Sequence, residues 1–191
     1  LDGILHNAAS LPYLSRIKDY EPEDWLRVMQ VNLNAPFFLT QACLPLLQRS
    51  HDARVLFTTD EVGQAGKAFW GAYGVSTYGI EGLTRILAAE EPAVTTVAVR
   101  PGVVDTDMQA LIRREAPAAM PTEQAAFYRR LKTEGRLEPP GIPARSIAWL
   151  ALRAPAAWSG KFLDYDAPEL QRPALACFGE NPARQNSKRT S

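Results

Sequence analysis

The chain has 191 residues, 46% of them hydrophobic and 22% charged, which suits one globular domain with a sizeable core. Lys plus Arg and Asp plus Glu both number 21, so no net field draws nucleic acid or an anionic membrane. Two histidines (His6, His51) and two distant cysteines (Cys43, Cys177) show no metal-ligand spacing, and no apolar run approaches the ~20 residues of a membrane span.

Cys43 lies in an apolar run and reads as a buried thiol, which fits a cytoplasmic setting without disulfides. Leu1-Asp2-Gly3-Ile4-Leu5-His6 has neither the basic start nor the long apolar stretch of a secretory leader. The chain opens on Leu, and a missing N-terminal part is expected.

Residues 1–9 read as a buried strand, apolar on both faces. Residues 11–20 form a loop or short helix. Glu21-Pro22-Glu23-Asp24 starts a helix with Pro in the first turn and acids near the positive end of the dipole. Helical spacing continues to about Gln48, with bends expected at Pro36 and Pro45. Residues 54–59 are a second strand, and a loop with Gly63 and Gly66 leads to a helix over 71–89. Residues 93–99 are a third strand, stopped by Pro101-Gly102. Residues 107–140, with helical patterns at 109–114 and 123–131, are expected to form a lid on the substrate side. A helix opens at Pro143, and a last strand covers 161–165. The domain is expected to span 1–166, with a tail over 167–191 that is disordered after Asn181.

Strands alternating with helices predict an α/β fold with a parallel sheet, whose ligands sit at the C-terminal strand ends. Three loops fall there: Asn7-Ala8-Ala9, Thr59-Asp60-Glu61 and Pro101 to Thr106. Tyr73 and Thr77, at i and i+4, share one face of the following helix. Among aromatic residues, Trp70 is the one expected to face a substrate, whereas Trp25, Trp149 and Trp158 suit the core. Arg113-Arg114 and Arg129-Arg130 read as solvated helix faces.

Together these segments resemble the short-chain dehydrogenase/reductase family over roughly residues 1–166. Leu5-His6-Asn7-Ala8-Ala9 is similar to its Asn-Ala-Gly strand end, and Val31-Asn32-Leu33-Asn34 to the segment with its active-site Asn. Pro101-Gly102-Val103-Val104-Asp105-Thr106 is similar to its Pro-Gly segment beside the nicotinamide. The resemblance implies a Rossmann-like doubly wound sheet lacking the family's first three strands, so that residues 1–9 would lose a sheet neighbour and leave an apolar edge. It also implies hydride transfer between NAD or NADP and a carbonyl or alcohol substrate. The implied catalytic positions are Tyr73, Asn32, Asp60 and Thr77. The implied cofactor positions are Asn7, Ala8, Ala9, Pro101, Gly102, Val104 and Thr106. Pairing into homodimers or homotetramers through the helices at 22–49 and 71–90 is implied as well.

Two positions depart from the family pattern. Its Lys, four residues after the Tyr, is Thr77 here, and its Ser, thirteen before the Tyr, is Asp60. No Gly-x-x-x-Gly-x-Gly loop for a pyrophosphate occurs in the chain. The 191 residues alone are therefore expected to be inactive, and a non-catalytic binding or subunit-pairing relative is the alternative. Asn32 could instead bond a carbonyl at a helix kink, and Thr106 could cap the helix after it.

Overall fold

Four short segments of β-branched and aliphatic residues line up as parallel strands in the computed structural model, which describes residues 1–179. They are β1 (Gly3–His6), β2 (Ala53–Thr58), β3 (Val94–Arg100) and β4 (Phe162–Asp164), in the order β1-β2-β3-β4. The register pairs Ile4 with Val55, Val55 with Thr96 and Val99 with Leu163.

The helices are α1 (Pro22–Met29), α2 (Ala35–Leu47), the short α3 (Val62–Ala65), α4 (Gly71–Glu90), α5 (Asp107–Ala119), α6 (Thr122–Thr133), α7 (Gly141–Arg153) and α8 (Pro168–Phe178). They cover both faces of the sheet. Val55 and Phe57 point to one face, with Leu47, Ile80 and Leu87 of α2 and α4. Leu56, Val97 and Val99 point to the other, with Ile147 and Leu150 of α7 and Leu170 of α8. β2 and β3 are buried on both faces, as their largely apolar and β-branched sequences suit. This is the α/β Rossmann-like arrangement that the alternating elements predict.

Three expectations change. First, β1 is not buried on both faces: it ends the sheet, and Leu5 is 43% exposed. With β2 on one side only, its outer edge and every second side chain face solvent, the open apolar edge anticipated above. Second, residues 167–179 are no loose tail: α8 buries Leu170 and Ala174 against the sheet layer. Its apolar residues sit four apart, which is a helical stripe. The disorder expected after Asn181 lies outside the described residues. Third, Cys43 is only half buried and Cys177 is exposed, both as free thiols.

The main break in the 22–47 helix is a π-helical turn over Gln30–Asn34. Pro36 has no N–H to offer the carbonyl of Asn32, four residues back, and the helix widens at that point. The 107–140 region is not a floppy flap. α5 and α6 share an apolar cluster with Trp70 and Tyr73 that includes Ile112, Ala116 and Tyr128.

Candidate active site

The C-terminal ends of β1, β2 and β3 open into a cavity of about 560 Å³ covered by α5 and the start of α7. Its wall brings together Asn7, Ala8 and Ala9 after β1, Asp60 after β2, and Pro101, Gly102, Val104 and Thr106 after β3. Asn32 from the π-helical turn and Tyr73 and Thr77 from α4 complete the set. Residues up to 99 positions apart therefore meet because parallel strands deliver all their C-terminal loops to one end.

Asn32 is 6% exposed, and its amide is engaged by protein. Its Oδ1 accepts the Ser10 N–H at 2.7 Å, and its Nδ2 donates to the Ser10 carbonyl at 2.9 Å and to Ser76 Oγ at 3.1 Å. The side chain thus fastens the loop after β1 to α4. Of the two readings for Asn32, the alternative of a bond to a kink carbonyl gives way to this two-way clasp on Ser10.

At the end of β2 the side chains alternate. Thr58 donates its hydroxyl to Asn7 Oδ1 at 2.8 Å, joining the two strand ends. Thr59 donates to the Thr77 carbonyl at 3.1 Å, which spends its hydroxyl on α4. Asp60 accepts the Val62 N–H at 2.9 Å, a turn contact two residues on, just ahead of α3. Burial raises the Asp60 pKa above the usual carboxylate value, and the neighbouring Glu61 charge adds to this against Val62, Lys67 and Arg100.

α4 approaches α3 closely through Gly63. A Cβ there would lie 2.2 Å from the Gly74 carbonyl oxygen and 2.7 Å from Tyr78 Cβ, so only glycine allows this contact. Tyr73 is 8% exposed, and burial raises its pKa, with the charge of Asp60 adding to the effect. Thr77 cannot offset this, since its hydroxyl donates to the Gly74 carbonyl at 3.0 Å and holds no charge. Trp70 lines the cavity as expected, with its ring 5.7 Å from Tyr73 and 6.0 Å from Tyr128.

The loops after β1 and β3 bring small residues to the wall. Ala8, Ala9, Pro101 and Gly102 form a floor of small residues. Gly102 has φ +74, and a Cβ there would meet the Tyr165 ring at 2.8 Å. Thr106 holds the N-cap position of α5 but makes no capping bond, and its hydroxyl lies 3.4 Å from the Val104 carbonyl. The ribose side does not fit the family pattern, because no cation stands in the cavity wall among the described residues.

Asp107, Met108, Gln109 and Ile112 on α5 lie in the region expected to form the substrate-side lid but were not singled out as residues, and Pro143 and Ile147 on α7 were not placed at the site. The one available signal was the four-residue spacing of Met108 with Ile112 and of Pro143 with Ile147, which marks a helix face but not what it faces.

Residues 1–117 match the profile of the family described as short chain dehydrogenase. The Escherichia coli K12 oxidoreductase YciK is 40% identical over 140 residues, covering 73% of this chain and 52% of its own length. The Saccharomyces cerevisiae oxidoreductase YIR035C is 32% identical over 172 residues, 89% of this chain and 67% of its own. The crystal structure of YIR035C superposes with a TM-score of 0.85 at 32% identity, over 89% of this chain and 68% of that one. A short chain dehydrogenase of Escherichia coli CFT073, solved in complex with NADPH, superposes with a TM-score of 0.70 at 34% identity, over 87% and 63%. The chain thus spans about half the length of YciK and two thirds of YIR035C. A matched profile over more than half the chain, on a four-stranded parallel sheet whose Tyr, Asn and Pro-Gly segments share one cavity, places the chain in the short chain dehydrogenase family.

Proposed function

We propose that this chain holds the substrate and nicotinamide sides of an NAD(P)-dependent oxidoreductase site acting on a carbonyl or alcohol, and that these 191 residues alone do not turn substrate over. The supporting observation is the meeting of Tyr73, Asn32, the 7–9 loop and the 101–106 loop around one cavity. The NADPH held by the Escherichia coli CFT073 relative supports the choice of cofactor.

When bound, the cofactor supplies or accepts a hydride at its nicotinamide ring. Asn7, Ala8, Ala9, Pro101, Gly102, Val104 and Thr106 would flank that ring. Tyr73 would exchange a proton with the substrate oxygen, and Asn32 would hold the surrounding loop in place. Burial and Asp60 keep the phenol protonated, so Tyr73 is suited to donating a hydrogen bond and poorly suited to acting as a base at neutral pH. A Lys at position 77 would reverse that balance. Its absence is the reason for proposing weak or no turnover.

The test is titration of isotopically labelled chain with NADPH and NADH to millimolar concentration. The Ala8, Ala9, Gly102 and Thr106 amide signals should move. If they stay fixed while the chain is folded, the cofactor reading is wrong.

The second reading is a non-catalytic pairing module in a cytoplasmic protein. It is favoured by the exposed apolar residues Leu26, Phe38 and Leu46 along α1 and α2, and Tyr78 and Ile86 on α4. The partner would be a second copy. Among the described residues no helix is long and apolar enough to cross a membrane. Sedimentation of the chain against Phe38→Asp and Ile86→Asp variants separates a dimer or tetramer from a monomer.

A further inference from the structure

Cations surround the cavity, yet none enters it. Among the described residues its wall contains no Lys, Arg or His, but it does contain two carboxylates, Asp60 and Asp107. Arg100, Lys67, Lys132 and His6 have partners outside it. Arg100 pairs with Glu61 and with Asp164, the latter at 2.6 Å. Lys67 pairs with Glu61 at 3.1 Å and Lys132 with Asp105 at 2.5 Å. His6 stacks on Phe57 and bonds Thr40 at 2.8 Å, and burial lowers its pKa to about 4, so it is neutral. Arg113, expected on a solvated face, is half buried and keeps its Nη1 away from solvent, and it is not part of the wall. The rest of the wall includes the apolar and aromatic side chains of Trp70, Tyr73, Met108, Ile112 and Ile147.

We infer that this cavity takes uncharged ketones with an aromatic or bulky apolar flank and rejects keto acids and hydroxy acids, with Asp60 as the residue that sets this selectivity. The inference rests on the cavity being the substrate site proposed above. An anionic substrate entering it would lose water and meet like charge without a compensating cation. A neutral aryl ketone loses little hydration and gains the Trp70 face and the α5 side chains. Asp107 is exposed at the rim and screened by solvent, so its effect is the smaller one. Asp60 also accepts the Val62 N–H ahead of α3, and an Asn at that position keeps that acceptor.

The test uses two ligands of one skeleton, methyl benzoylformate and the benzoylformate anion. Binding to the folded 191-residue chain is followed by saturation-transfer NMR and by tryptophan fluorescence. At about pH 8, where free carboxylates are ionised, the ester should bind at least about tenfold tighter than the anion. Asp60→Asn should shrink that gap to about threefold or less, and Asp107→Asn should leave most of it. Met108→Arg, which adds a cation to the wall, should raise the affinity of the anion. Equal or tighter binding of the anion to the unaltered chain overturns this inference and leaves the oxidoreductase reading standing. A gap untouched by Asp60→Asn overturns the assignment to Asp60. If neither ligand binds while the NADPH signals move as predicted, this inference fails alone; if both titrations fail, the site reading fails with it.

Discussion

Thr59 donates its hydroxyl to the backbone carbonyl of Thr77 at 3.1 Å, which ties the end of β2 to the middle of α4. The bond fixes where the helix with Tyr73 sits relative to the strand ends. Asp60, next along the strand end, is the side chain there that brings a titratable group to the cavity wall. Asp60 thus lies one residue from the side chain that bonds the Thr77 carbonyl, and its charge acts on Tyr73.

Restoring a cation tests that coupling. Thr77→Lys should lower the Tyr73 pKa by at least about one unit, because an ammonium near a buried phenol favours the phenolate. Tyrosinate absorbance in a pH titration, read as the difference from a Tyr73→Phe control, reports it. An unmoved titration would mean that the side chain at 77 does not reach the phenol.

Asn32 is predicted to matter for stability more than its size suggests. Asn32→Ala removes three hydrogen bonds and leaves the Ser10 amide and carbonyl to find other partners. A loss of about 2–4 kcal/mol is expected by denaturant unfolding, with faster amide exchange over residues 8–11.

Gly63→Ala should be costly for a helix-compatible substitution. The new methyl meets backbone oxygen at 2.2 Å, and backbone cannot swing aside as a side chain can. At least about 2 kcal/mol of destabilisation is expected, together with displacement of the Asp60 turn contact. Gly66→Ala, on the same loop but with open space around it, strains only the backbone at φ +59 and should cost about 1 kcal/mol.

His6 makes stability pH-dependent in a defined window. Its pKa falls from 6.5 to about 4 in the folded chain because burial between Phe57 and Thr40 disfavours the charged ring. The unfolded chain takes up the proton first, so the His6 contribution is present above about pH 6.5 and is lost as pH falls towards 4. Denaturant midpoints across that range should show the decline, and His6→Gln should flatten it. Asp60 acts with the same slope sign as any raised carboxylate: its ionisation weakens the fold as pH rises through its pKa, so Asp60→Asn should be neutral or stabilising at neutral pH.

Tyr73, Asn32 and the Pro101–Thr106 run were singled out by their joint order along the chain, since each pattern alone is weak, and the fold lines one cavity with Tyr73, Asn32, Pro101, Gly102, Val104 and Thr106. The strands were legible to within a few residues because β2 and β3 are short, largely apolar and β-branched segments bounded by turn residues. α8 was missed because Pro168, Arg172 and Pro173 hide a stripe of only two buried residues, Leu170 and Ala174.

Local sequence determined the α/β class, the helix that presents Tyr73, and the absence of a Lys one turn later. These depend on residue type and spacing, which no packing can alter. Tertiary structure decided which side chains face the cavity. It spent the Asn32 amide on Ser10 and Ser76, bonded Thr59 to α4, paired Arg100, Lys67 and Lys132 outside, and set Trp70 against Tyr73 and Tyr128. Such choices follow from contacts between residues tens of positions apart, where one residue's hydrogen bond or ion pair removes it from the site of another.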